Sequence, residues 1–252
     1  MLIHFTLSGQ RFHANLSRPL DISIPLKEDS KSVICFDAPS VEFAPVIADN
    51  FIGSTEKGGP VNFFNIKINP HGNGTHTECV GHIAKEKFTI NQSLKKFHFL
   101  AKLVSVFPKK MDNGDRLILK EQLEEVFPEE EVEALIIRTL PNKALKLRTN
   151  YSNSNPPYLH WQAVAFLVEK GVRHLLIDLP SVDKEQDGGK LLAHRAFWRY
   201  PGTSVRQNCT ITELVFVKNE IKDGFYLLNI QIASFEIDVS PSKPVLYELV
   251  RA

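Results

Sequence analysis

The chain has 252 residues, 43% hydrophobic and 23% charged, enough to bury a sizeable core in one large domain or two small ones. Its formal net charge is +1 and its Lys and Arg residues form no basic block, so no global field favours nucleic acid, an anionic membrane or an acidic substrate. Cys35, Cys79 and Cys209, odd in number and without a CxxC pair, are no disulfide framework and suit a reducing compartment.

Met1–Phe5 lacks the features of a secretory signal, and no stretch approaches the roughly 18 apolar residues of a membrane span, so a cytoplasmic setting is expected. Residues 1–26 read as short strands: Ile3, Phe5 and Leu7 alternate with polar residues, and Leu20–Leu26 alternates again. Residues 27–61 open on Lys27-Glu28-Asp29-Ser30 and contain the turn Lys57-Gly58-Gly59-Pro60, so loop with brief extended pieces is expected there. Phe36 and Phe43 read as core. Asn62–Ile68 alternates as a strand, with Phe64, Ile66 and Ile68 on one face.

Leu100–Phe107 is strand-like, and Leu117–Phe127 has the spacing of an amphipathic helix. Ala134–Leu140 is a short apolar strand, followed by a long polar loop, Pro141–Pro157, of a length typical of binding loops. Tyr158–Lys170 predicts a helix with Trp161, Ala165 and Val168 on one face and Gly171 just past its end. His174–Leu179 is a buried strand, and two helix-then-strand units predict α/β layering with parallel pairing. Ile211–Val217 is strand-like around Glu213, and the chain closes on Phe225–Ile237 and Pro244–Val250. No repeat or linker divides the chain, so 1–252 is expected to be one domain.

The segment from His71 to His82 carries most of the chemistry. It holds His71, His76, Glu78, Cys79 and His82 with three glycines, and imidazole and carboxylate are ordinary ligands of divalent metals. His76 and Glu78, two apart, leave an extended segment on the same face. Cys79 reads as a packed thiol, and His160 and His174 as structural or surface groups. Glu213 in an apolar strand needs a cation or hydrogen bonds, because a buried carboxylate is costly without them.

The order His71…Gly74-Thr75-His76-Thr77-Glu78…His82 resembles the His-x-Gly-Thr-His-x-Asp-x-Pro-x-His signature of the cyclase family, which includes bacterial-type kynurenine formamidases and isatin hydrolases. Asp21–Leu26, Gly171-Val172, Asp178-Leu179-Pro180-Ser181-Val182-Asp183, Leu192-Ala193-His194 and Thr212-Glu213-Leu214 resemble further family segments in the same order. The resemblance implies a swivelling β/β/α fold with a mixed sheet and flanking helices, often in homodimers or homotetramers. It implies two divalent metals, zinc or in some members manganese. His71 and His76 would hold the first, Glu78 and Glu213 would be shared, and His194 would hold the second. His82 would transfer the proton. Three departures stand out: an extra residue between His71 and Gly74, Glu78 for aspartate, and Val80 for proline.

The activity implied is hydrolysis of an amide or N-formyl bond by metal-activated hydroxide. Arylformamidase action in tryptophan catabolism, N-formylkynurenine to kynurenine plus formate, is the best-known case. Phe36, Phe43 and Trp198 would offer an apolar wall. A catalytically altered metal- or ligand-binding member, or a metal-dependent lyase or cyclase, is the alternative.

Overall fold

The computed structural model describes residues 1–7, 10–28 and 31–251. Asp29 and Ser30 of the expected polar turn lie outside them. Ten strands form the main sheet: β1 (Leu2–Leu7), β2 (Gln10–Asn15), β3 (Leu20–Asp21), β4 (His76–Glu78), β5 (His98–Val106), β6 (Ala134–Thr139), β7 (His174–Ile177), β8 (Thr210–Glu213), β9 (Gly224–Ile232) and β10 (Val239–Arg251). The helices are α1 (Ile90–Ser93), α2 (Lys120–Val126), α3 (Trp161–Glu169) and α4 (Leu192–Trp198).

Strands β5, β6, β7 and β8 pair in parallel, each step crossing over through α2, α3 or α4. Parallel neighbours need such a crossover, and a helix supplies it. The order β10–β9–β5–β6–β7–β8–β4 closes because β4 also pairs with β10, giving a seven-stranded mixed barrel. This is the expected α/β fold with a mixed sheet and flanking helices. Strands β1 and β2 form a hairpin attached to the far half of β10.

Period-two alternation sorts the barrel residues into two cores. Ala101, Leu103, Ala134, Ile136, Leu176 and Leu228 fill the interior. Val104, Leu135, Ile137 and Ile177 face outward, packing with Val164 and Leu167 of α3 and Phe197 and Trp198 of α4. Burial on this scale stabilises by about 1.5–3 kcal/mol per large aliphatic side chain.

Several local expectations need correction. The helix expected over Leu117–Phe127 begins only at Lys120, because Arg116–Ile118 pairs with Lys109–Lys110 and, in parallel, with Tyr158–Leu159. That pairing also removes Tyr158 from α3. Trp161 is exposed and Ala165 half-buried, whereas Val168 is buried as expected, together with Ala163, Val164, Phe166 and Leu167. The strand at Phe64–Lys67 pairs with Glu42–Pro45 in a two-stranded ribbon, and all four of its residues are exposed. Phe36 is likewise exposed and Phe43 only half-buried, so neither is core.

Candidate metal centre

Strand register assembles the centre. On β8, Ile211 packs toward the helices, and Glu213, two residues on, leaves by the same face. Antiparallel pairing sets Glu213 opposite His76 and Ile211 opposite Glu78. His76, Glu78 and Glu213 therefore share one face, while Thr77 and Thr212 join hydroxyls on the other at 2.8 Å. Helix α4 lies over that face and lowers His194 onto it, its Nε2 3.1 Å from Glu78 Oε1 and 4.0 Å from Glu213 Oε1.

The loop before β4 brings His71 to the same point, Nδ1 3.2 Å from Glu78 Oε2. His82, in the single 3-10 turn after β4, places Nδ1 3.7 Å from the same oxygen. All six residues expected at the site thus converge. His76, Glu78, Glu213 and His194 form a buried floor, whereas His71 and His82 keep 25% and 31% of their side chains exposed and mark the open side.

Glycine has two separate duties in this segment. Gly74, at φ +148°, takes a backbone conformation that other residues rarely adopt. Gly81 is required by space instead: a Cβ there would lie 2.2 Å from the Phe88 carbonyl oxygen and 3.1 Å from the Asp238 Cβ.

Two carboxylates escaped the sequence analysis. Asp238 Oδ2 lies 2.9 Å from His71 Nε2 and 3.4 Å from His82 Nδ1. It arrives because β10, starting at Val239, pairs with Glu78 of β4, and no local spacing foretells that. Asp183 Oδ2 lies 2.6 Å from His194 Nδ1, and its carboxylate also accepts the backbone N–H groups of Ala193 and His194. Its place in the Asp178–Asp183 segment was the available signal. Cys79 turns away into the barrel interior.

The outer atoms of the presumptive ligands are anchored so that the inner ones are free. Asp183 takes Nδ1 of His194, the Gly74 carbonyl takes Nδ1 of His76 at 2.9 Å, and the Val182 N–H donates to Glu213 Oε1 at 2.9 Å. Such contacts fix the orientation of metal-binding side chains. His76 Nε2 and Glu78 Oε2 are buried and make no aligned hydrogen bond. Unpaired polar atoms are costly in such a place, and a cation between them removes the cost. One potential ligand atom from each of His71, His76 and Glu78 lies within 4.8 Å of the other two; the same holds for His71, His82 and Asp238, and for Glu78, His82 and His194.

Electrostatics agrees with this donor set. Burial alone would lower the pKa of His194, but hydrogen bonds to Asp183 and Glu78 outweigh it and raise it to about 10. His71, opposed by burial in the same way, is raised to about 10 by Asp238 and Glu78. Burial favours the neutral form of Glu78, yet His82, His194 and His71 hold it well below the usual carboxylate range. The carboxylates thus demand positive charge at this point, and a divalent cation meets that demand as protons do. The residues fit a metal.

A fold and centre of this kind belong with metal-binding α/β proteins, and the comparisons narrow the class. The family profile described as "Putative cyclase" matches residues 20–184, well over half of the chain. The chain belongs to the cyclase family. The kynurenine formamidase of Bacillus anthracis is 29% identical over 233 residues, covering 91% of this chain and 97% of the relative, a span that takes in His194 and Glu213. Isatin hydrolase A from Labrenzia aggregata shares the fold at a TM-score of 0.65 and 14% identity, over 93% of this chain and 94% of that one. A potential metal-dependent hydrolase with cyclase activity aligns at a TM-score of 0.66 and 15% identity, over 91% and 97% of the two chains.

Proposed function

We propose that this hydrolase of the cyclase family cleaves an amide or N-formyl bond of a small substrate, as an arylformamidase does, N-formylkynurenine being the first substrate to test. The observation that carries the reading is the buried pair His76 Nε2 and Glu78 Oε2, which make no aligned hydrogen bond and sit among imidazoles and carboxylates. His71, His76, Glu78, His194 and Glu213 would hold two divalent ions, zinc or manganese, and Asp238 adds a carboxylate on the open side. When bound, such ions polarise a carbonyl and make water acidic enough to attack at neutral pH.

The chain's own residues then have defined tasks. Water adds to the substrate carbonyl carbon, the C–N bond breaks, and the departing nitrogen needs a proton. His82 is on the open side and faces Asp238 at 3.4 Å, a contact that orients its ring. It would take the proton of the attacking water and return it to the leaving nitrogen. Asp183 keeps His194 in place, and the backbone of Val182 keeps Glu213 in place.

The test measures metal stoichiometry first, then formate release from N-formylkynurenine and ring opening of isatin. His82→Ala is expected to lower turnover by about 10²–10⁴-fold, the ordinary worth of a general acid–base, while metal content stays unchanged. Bound metal with no turnover of any amide would leave a binding protein, and protein purified and reconstituted without metal uptake would remove the hydrolytic reading.

A further inference from the structure

The long loop Pro141–Pro157 is not used by the metal centre, yet it encloses a cavity of about 500 Å³. Thr139 ends β6, Phe107 follows β5 and Leu179 follows β7, so the cavity sits just beyond the carboxyl ends of three parallel strands. Crevices at that end of parallel sheets are where ligands commonly bind, and the volume is that of an ordinary small-molecule site. Its walls are mainly apolar: Phe107, Leu140, Leu145, Tyr151 and Leu179. Tyr151 belongs to the buried cluster that also holds Leu214, the residue after Glu213, and none of the six residues of the metal centre lines the cavity.

Charge distinguishes this cavity from a plain apolar cleft. Arg116, Lys143 and Lys146 line it, and among the described residues no Asp or Glu does. Lys146 is neutralised by Asp178 at 2.6 Å and also donates to Thr139. Asp115, the carboxylate beside Arg116 in sequence, is committed to Lys184 at 2.9 Å and to Tyr158 and Asn155. Among the described residues, neither Arg116 nor Lys143 forms an ion pair. Arg116 spends one N–H on the Asn155 carbonyl at 3.1 Å. A guanidinium with free N–H groups at an apolar cavity matches a carboxylate attached to a ring.

We infer that the loop Pro141–Pro157 and the ends of β5, β6 and β7 form a second small-molecule site, which takes an aryl monocarboxylate with its ring among Leu140, Leu145 and Tyr151 and its carboxylate on Arg116 and Lys143. The site stands apart from the metal centre and does not rest on the hydrolytic reading.

Metal-loaded protein titrated with benzoate in a calorimeter, with benzamide as the neutral comparison, tests this. Saturable benzoate binding is expected, with benzamide weaker by about tenfold or more. Lys143→Glu and Arg116→Gln should each weaken benzoate about tenfold while leaving benzamide unchanged, and Leu145→Trp, which fills the cavity, should weaken both. Lys143 is exposed and its side chain holds nothing else in place, so its variant reads the charge without disturbing the fold. Absence of saturable benzoate binding overturns the proposal. So does binding that survives both charge variants but is lost in His76→Ala, because benzoate then sits at the metal.

Discussion

At the scale of single residues, the centre depends on groups that do not themselves face the cation. Asp183 is the clearest: it is 2.6 Å from His194 Nδ1 and accepts two backbone N–H groups at the start of α4, so it fixes both the ring and the helix that carries it. Replacing it with Asn keeps the shape but removes the charge that favours the metal-binding tautomer. Asp183→Asn is expected to weaken metal retention about 10–100-fold, read by competition with a chelator, and to lower the melting temperature of the metal-free protein modestly, because the amide can accept at only one of the two positions that now take backbone N–H groups. Unaltered retention would assign Asp183 to the fold alone. The same residue shows what a sequence makes legible. His71, His76, Glu78 and His82 are visible because they are ligand types crowded into twelve positions. Asp238 is not, because only the register of β10 on β4 brings it to His71. Glu78, one methylene longer than the aspartate of the family signature, reaches His71, His82 and His194. The longer side chain is on β4 and the extra residue after His71 is in the loop before it, and the 3.2 Å separation of His71 from Glu78 shows that together they leave the two within reach.

At the scale of elements, the parallel strands were readable because β6 and β7 are buried on both faces and carry near-continuous apolar runs. Leu117 and Ile118 fit both a helix and a strand, and a distant partner, Tyr158–Leu159, decided between them. His174, first residue of β7, shows how such burial becomes pH dependence. It is buried with Nδ1 2.9 Å from Thr210 Oγ1, and burial, with Arg173 and Arg206 nearby, lowers its pKa to about 3. Its ordinary value is 6.5, so between pH 6.5 and 3 the unfolded chain binds a proton that the folded chain refuses. The contribution is therefore fully present above pH 6.5 and is lost as pH falls, at up to about 1 kcal/mol per pH unit. His174→Gln should unfold more easily at pH 7 yet lose less stability on acidification, as denaturant titrations at pH 7 and pH 5 would reveal. Parallel pH curves for the two proteins would contradict the assignment.

At the scale of the whole molecule, the barrel satisfies its own edges, but the excursion over residues 42–67 does not. Glu42–Pro45 and Phe64–Lys67 form a two-stranded ribbon with no third strand among the described residues, and a ribbon of two strands is marginal alone in water. Phe64 and Ile66 are exposed on it, with Val61, Phe63 and Ile47 close by in sequence. Exposed apolar side chains on an unpartnered ribbon are candidates for an interaction site, and a second copy of the chain is the partner proposed, in the homodimer or homotetramer expected from the family. Pairing of like ribbons would cover the apolar side chains of both at once. The unmodified chain is then expected to be a dimer or tetramer by light scattering at micromolar concentration, and Phe64→Lys with Ile66→Lys should give a smaller species. A monomeric unmodified chain would end the oligomer proposal. The ribbon also leads within four residues from Lys67 to His71, the proposed ligand on the open side of the centre. If copies brace one another through the ribbon, the double variant should lose turnover more than it loses buried metal, because His76, Glu78, Glu213 and His194 rest on the barrel and α4.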